Sequence, residues 1–289
     1  MIGARLFLDC KCLLGEGPVW WQRRIWWVDI EQRQIHACTP DTTENPVSWH
    51  FPERIGFAVP ATDGAWVVGL ESGFFRFDPS NGDLSLLYGP ERDRKRNRCN
   101  DGKCDPNGCL WAGTLQMDGK RNEAALYRLS RGDSRRVLDG ISISNGLAWD
   151  PARGRMYYID TPTRGVMSFP YDFERSEIAG PHDTISLDGE TGAPDGMTID
   201  RDGNLWIALW GGGGVLCMDP ATGKVVERIA VPAPNVTSCA FGGPDFRDLY
   251  ITTARIGLKE DALHRFPHAG GLFVARPGPS GLPPVPADV

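Results

Sequence analysis

Apolar residues along the chain come in short runs, and most runs open on or beside an aromatic: WVVGL (66–70), LWAGTL (110–115), MYYID (156–160), LWIALW (205–210) and LYITTA (249–254). Between them stand turn pairs such as Asp63-Gly64, Asn81-Gly82, Asn107-Gly108 and Asp202-Gly203. Short β-rich runs bounded by Gly, Asn and Asp read as strands of a sandwich, barrel or propeller. Long amphipathic helical patterns are absent.

The runs repeat. Six segments share a turn, an aromatic opening a strand, a gap and a second strand with a polar turn, the first being RRIWWVDIEQRQIHACTPD (23–41). Their anchor aromatics are Trp26, Trp66, Trp111, Tyr157, Trp206 and Tyr250, with spacings of 40, 45, 46, 49 and 44. That period is the length of a four-stranded propeller blade. The expected fold is therefore all-β: one six-bladed β-propeller domain over residues 1–289. ARLFLDC near the start and GGLFVARPG near the end each lack partners, so the expected closure pairs the N- and C-terminal strands in one blade.

The repeat also selects candidate chemistry. Stepping back 10–12 residues from each anchor reaches Glu16, Gly56, Asn100, Asn145, Asp195 and Ser238. In a propeller this position begins each innermost strand and lines one mouth of the central channel. Carboxylates converging there repel unless a cation lies between them. Glu, Asp and Asn together make an all-oxygen set suited to one divalent ion: Ca²⁺, Mg²⁺, Mn²⁺, Fe²⁺ or Zn²⁺. Taken singly, each residue also fits a capped turn; the shared repeat position favours the metal.

Composition narrows the classes. With 31 basic and 37 acidic residues the net charge is −6, which gives no footprint for nucleic acid. The one basic run, ERDRKRNR (91–98), is short and reads as a solvated loop whose last residue, Arg98, reaches the channel. No signal peptide or membrane-length apolar run is read, so the expectation is a cytoplasmic protein, without a membrane partner and possibly monomeric. The eight cysteines contain no CxxC pair and are expected reduced and mostly buried. WGGGGV (210–215) lacks the Lys-Ser/Thr of a phosphate loop and reads as a turn. The five histidines share no repeat position, and no G-x-S-x-G supports a serine triad.

Four motifs carry a resemblance: LGEGPVW (14–20), NRCNDGKCDPNGCLWAGT (97–114), SNGLAWD (144–150) and PDGMTIDRDGNLWIA (194–208). In that order the chain resembles the senescence marker protein/gluconolactonase/luciferin-regenerating enzyme family of six-bladed propellers, over essentially its whole length. The resemblance implies a divalent metal held by Glu16, Asn145 and Asp195. It implies substrate contacts from Arg98 and Asn100, and hydrolysis of a small-molecule sugar lactone, such as gluconolactone or xylonolactone, to the aldonic acid. Two positions depart from the pattern: Cys99 stands where an aromatic is common, and Asp118 where many relatives carry a sugar-contacting glutamate.

Lactone hydrolysis passes through a tetrahedral intermediate, which a cation stabilises as a Lewis acid. Asp195 is the candidate general base for the attacking water, a role in tension with metal ligation unless the metal lowers the water's pKa. The reading is thus a metal-dependent carboxylic ester hydrolase. The alternatives are an organophosphate-type esterase on the same scaffold and a non-catalytic propeller platform with a structural ion.

Overall fold

A computed structural model of the protein describes residues 2–40, 46–92 and 94–289. Asp41, which ends the first repeat, and Asp93, in the basic run, lie outside the described residues. The architecture is all-β with curled sheets in a propeller-like arrangement. Among the described residues helix is confined to Glu260–Arg265 and a 3₁₀ turn, Thr161–Thr163.

The strands form successive antiparallel meanders. Gly15–Trp21, Arg24–Asp29, Gln34–Cys38 and Val47–His50 make the first sheet. Ile55–Pro60 starts the second, Asn97–Cys104 the third and Ser144–Asp150 the fourth. A nine-stranded sheet holds the last two meanders, which start at Ala193–Ile199 and Asn235–Gly242 and join through a single pairing, Trp210 with Asn235. Arg5–Leu8 pairs antiparallel with Leu272–Ala275, so the first residues complete the sheet of the last. The glycine run at 211–213 is the turn between Leu205–Trp210 and Gly214–Asp219.

The register explains the sequence repeat. Each anchor aromatic lies in the second strand of its meander and faces one residue of the first: Trp26 faces Val19, Trp66 Pro60, Trp111 Lys103, Tyr157 Ala148, Trp206 Thr198 and Tyr250 Ala240. All six anchors are buried. They pack between neighbouring sheets, where Trp26 meets Trp66 with ring centroids 4.3 Å apart and Trp111 meets Trp149 at 6.3 Å. Rings of this size supply much of the apolar area each sheet removes from water.

The first strands of the meanders lie side by side in chain order, and the sixth lies against the first. Thr237 Oγ1 donates to the Gly15 carbonyl across that last junction, at 2.5 Å. Neighbouring strands approach closely enough to require glycine: a Cβ on Gly56 would stand 2.3 Å from the Cys99 carbonyl oxygen. Each first strand also carries one register irregularity, at Glu16/Val19, Ile55/Phe57, Cys99/Gly102, Ser144/Leu147, Pro194/Met197 and Val236/Ser238. A β-bulge leaves a residue unpaired and turns its side chain out of the pleat. The first strand of each meander is thus irregular at a similar place.

Candidate active site

Glu16 is the last paired residue before its bulge, and Asn100, Asn145 and Asp195 lie within theirs. In the sixth strand the bulged residue is Thr237, while Ser238 is already paired with Thr252. The residue aligned by counting back from Tyr250 is therefore one place out. Glu16, Arg98, Asn100, Asn145 and Asp195 are all buried.

A hydrogen-bonded chain joins several of them. Arg98 Nη1 donates to Asn100 Oδ1 at 2.7 Å and to the Cys99 carbonyl at 2.9 Å. Asn100 Nδ2 donates to the Ser144 carbonyl at 2.7 Å and to Asn145 Oδ1 at 3.2 Å. Asn145 Nδ2 donates to Thr161 Oγ1 at 2.8 Å, which donates to the Pro194 carbonyl at 2.9 Å. Arginine has no acceptor, so its bond fixes the Asn100 oxygen toward it, and the chain then fixes Asn145. Both carboxamides are held in one orientation, and the Asn145 oxygen keeps a second lone pair.

The carboxylates are held differently. Among the described residues, Glu16 Oε2 accepts only the neighbouring Gly17 N–H, at 2.9 Å. Burial, then the charge of Asp101, pushes its carboxyl up to about 8, against weaker help from Gly17 and Arg98. Asp195 is pushed well above the carboxylate range by burial, then by Glu16 and Asp101, with Arg98 opposing. Mutual repulsion of this kind requires that the acids share one region. Two carboxylates and an amide oxygen suit a hard or borderline divalent cation, and buried acids short of donors are the groups a cation would relieve. Among the described residues no cluster of three or more His, Cys, Asp or Glu side chains gathers as a metal site.

Two further groups belong to the centre and were not singled out in the sequence. Asp101 accepts the Gly102 N–H at 2.7 Å, and burial raises its carboxyl against the opposing pull of Lys103. Lys103 Nζ donates to the carbonyls of Leu147, at 2.9 Å, and Met197, at 2.6 Å, so one ammonium links three first strands. Burial lowers its pKa, and Asp101 counters. The repeat held a signal for Lys103: the five equivalent positions facing the other anchors are Val19, Pro60, Ala148, Thr198 and Ala240, all uncharged.

Asp101 and Lys103 open onto a cavity of about 140 Å³ floored by apolar side chains such as Phe57, Leu147 and Trp149 and covered by residues 282–285. Glu16, Asn100, Asn145 and Asp195 are not among the residues that line it. Asp118 stands apart from both. It lines a cleft of about 780 Å³ with Arg96, Asn97 and Gln116. Arg96 and Gln116 hold its carboxylate, through Arg96 Nε at 3.0 Å and Gln116 Nε2 at 3.1 Å. Of the histidines, His36 is hydrogen-bonded to Ser48, His264 is exposed on the short helix and His268 pairs with Asp9 on the surface.

Comparison with known proteins shows the family. Residues 14–255 match the model of the SMP-30/Gluconolactonase/LRE-like region. The chain is 40% identical over 286 residues to the putative sugar lactone lactonase YvrE of Bacillus subtilis, covering 98% of both chains. It is 33% identical to human regucalcin, over 96% of this chain and 94% of that one. Among solved structures, a calcium-binding protein, regucalcin, of Agrobacterium tumefaciens superposes with a TM-score of 0.94 at 28% identity, covering 100% of this chain and 98% of that one. The matched region contains every buried residue of the candidate centre, and the chain belongs to the SMP-30/gluconolactonase/LRE-like family.

Proposed function

We propose that this protein is a metal-dependent lactonase that opens sugar lactones to aldonic acids, built as a single six-bladed propeller closed by the pairing of Arg5–Leu8 with Leu272–Ala275. What supports the reading is that Glu16 and Asp195 are buried acids short of donors, that the Glu16 charge raises the Asp195 pKa, and that Asn100 and Thr161 hold the Asn145 carboxamide in one orientation. The names of the relatives, a putative sugar lactone lactonase and regucalcins, point the same way.

Glu16, Asn145 and Asp195 fit a divalent cation and would hold it. Such an ion supplies Lewis-acid charge opposite the oxygen that becomes negative in the tetrahedral intermediate. The chain's own residues do the rest. Arg98, anchored on Asn100 and the Cys99 carbonyl, keeps donors for the oxygens of a polyhydroxylated ring. Asn100 orients Asn145 and Arg98 together, so one side chain couples substrate contact to the acid centre. An Asp195 carboxylate oxygen accepts the proton of the attacking water. Collapse of the intermediate breaks the ring C–O bond, the freed alkoxide takes back the proton held by Asp195, and the open acid leaves.

Chelator-stripped protein assayed on a panel of aldonolactones, with and without Ca²⁺, Mg²⁺, Mn²⁺, Fe²⁺ and Zn²⁺, tests the reading. The expected result is turnover that returns with an added ion and is absent without one. Turnover indifferent to the ion overturns the metal assignment. No turnover with any pairing of lactone and ion, in folded protein, overturns the lactonase reading, and organophosphate esters become the next substrates.

A further inference from the structure

Two thiols outside the channel stand in a geometry that the lactonase chemistry does not use. Cys10 and Cys12 lie in the short link between Arg5–Leu8 and Gly15–Trp21. Residues two apart in extended chain face the same side, and Lys11 between them takes a left-handed φ of 53°, which folds the link further. Both cysteines rest on Gly270: its carbonyl accepts the Cys12 N–H at 2.8 Å and the Cys10 thiol at 3.3 Å. A Cβ on Gly270 would come within 2.3 Å of the Cys12 carbonyl oxygen, so glycine permits this docking. The outcome is that Cys12 Sγ lies 3.6 Å from Cys10 Sγ.

We propose that Cys10 and Cys12 are a redox-active dithiol that small disulfides oxidise reversibly to an intramolecular disulfide, Cys10 being the attacking sulfur and Cys12 the resolving one. The division of roles follows from exposure: Cys10 is half-buried, whereas Cys12 is 1% exposed. The Cys12 thiol, hydrogen-bonded to Cys10, lowers the Cys10 pKa, while the same contact and burial raise that of Cys12. A lowered pKa on a reachable thiol is what marks an attacking cysteine. The other six cysteines are all buried, and burial pushes the thiols of Cys38, Cys217 and Cys239 up to about 12.

The reaction balances without any further reagent. The Cys10 thiolate attacks one sulfur of a small disulfide, forming a mixed disulfide and releasing one small thiol. Cys12 gives up its proton and attacks Cys10 Sγ, forming the protein disulfide and releasing the second small thiol. A disulfide bond is about 2.05 Å long, so the two sulfurs close by roughly 1.5 Å, a distance that side-chain rotation covers.

Native protein incubated with oxidised glutathione, then blocked with a maleimide under denaturing conditions and cut with trypsin, tests the proposal. Cleavage after Lys11 separates the two cysteines, so the peptides ending at Lys11 and beginning at Cys12 remain joined only through a disulfide. The expected result is that joined pair, reversed by a reducing agent, with the other six cysteines blocked. In Cys12→Ser the expected product is a persistent glutathione adduct on Cys10, and in Cys10→Ser neither product. A wild-type adduct at Cys10 that never resolves, or reaction spread over the buried cysteines in preference to Cys10, overturns the proposal.

Discussion

Two sets of buried acids in this molecule are built in opposite ways. Asp29, Asp105, Asp160 and Asp200 sit at strand ends and are surrounded by donors. Asp29 accepts the N–H groups of Leu13, Leu14 and Gln32 at 2.8–3.2 Å. Asp105 accepts two backbone N–H groups and the Tyr171 hydroxyl, the last at 2.6 Å. Asp160 accepts the N–H groups of Ser142 and Ile143, and Asp200 those of Asp202, Asn204 and the Trp206 indole. Glu16 and Asp195, by contrast, and the half-buried Asp101 that acts on both, each accept among the described residues only the N–H of the following glycine, and their charges repel. Buried polar groups are almost always paired. The first set is paired and ties turns; the second is underpaired at one place, and a group of that kind marks function more often than structure.

The largest effect expected from this contrast is on turnover. Asp195→Asn removes charge and the proposed base while keeping shape, so lactone hydrolysis is expected to fall by roughly 10²–10⁴-fold. The melting temperature of the metal-free protein is expected to hold or rise, because a carboxyl that must take up a proton to stay buried is replaced by a neutral amide. Asp200→Ala is the mirror experiment. It strands two backbone N–H groups and the Trp206 indole, a loss on the order of 3 kcal/mol, or about 6–12 °C in melting temperature, with kcat per folded molecule unchanged. Thermal melts and initial rates on the two variants decide the matter: a large fall in melting temperature for Asp195→Asn, or inactive but folded Asp200→Ala, would erase the distinction.

A pH series sharpens the same contrast. The Glu16 carboxyl stands at about 8 in the metal-free fold against an ordinary value of 4.5, and Asp195 shifts in the same direction. The folded state therefore binds more protons than the unfolded state between those values, so stability falls as pH rises through that window. The metal-free protein is expected to melt lower at pH 9 than at pH 5, with a shallower slope in Glu16→Gln. A saturating divalent ion is expected to flatten the slope, since it replaces the protons. Differential scanning at several pH values, with chelator or with metal, measures both; a slope identical in wild type and Glu16→Gln would detach Glu16 from the centre.

Much of this was legible in the chain. The spacing of Trp26, Trp66, Trp111, Tyr157, Trp206 and Tyr250 reports strand register, because each aromatic occupies the same buried place opposite a first strand. Counting back from them reached Glu16, Asn100, Asn145 and Asp195 because the bulge falls at nearly constant distance. It landed one residue off the bulge in two strands, at Glu16, which is still paired with Val28, and at Ser238, which is paired with Thr252. The links along Arg98, Asn100, Asn145 and Thr161 were not legible, since they depend on rotamers that join separate sheets. Lys103 went unnoticed for a different reason: a single lysine in a strand ordinarily means an exposed edge, and only the structure shows it half-buried and bonded to two neighbouring first strands.

Asp118 supplies the third member of the comparison, an acid that is neither buried nor underpaired. Its side chain is 40% exposed and held by Arg96 and Gln116 at the wall of the wide cleft. A surface pair of this kind contributes little to folding, so Asp118→Ala is expected to leave the melting temperature unchanged. If its carboxylate accepts a sugar hydroxyl, KM for a polyhydroxylated lactone is expected to rise about 2–10-fold, the worth of one hydrogen bond, while kcat and the KM of an unsubstituted lactone stay as they were. Arg96 competes for the same oxygens, so Arg96→Ala is expected to lower KM for the hydroxylated substrate. Steady-state kinetics of both variants on the two lactones separates the roles: opposite shifts in KM confined to the hydroxylated substrate place Asp118 at the sugar, and equal losses on both lactones make it a support for the strand that carries Arg98.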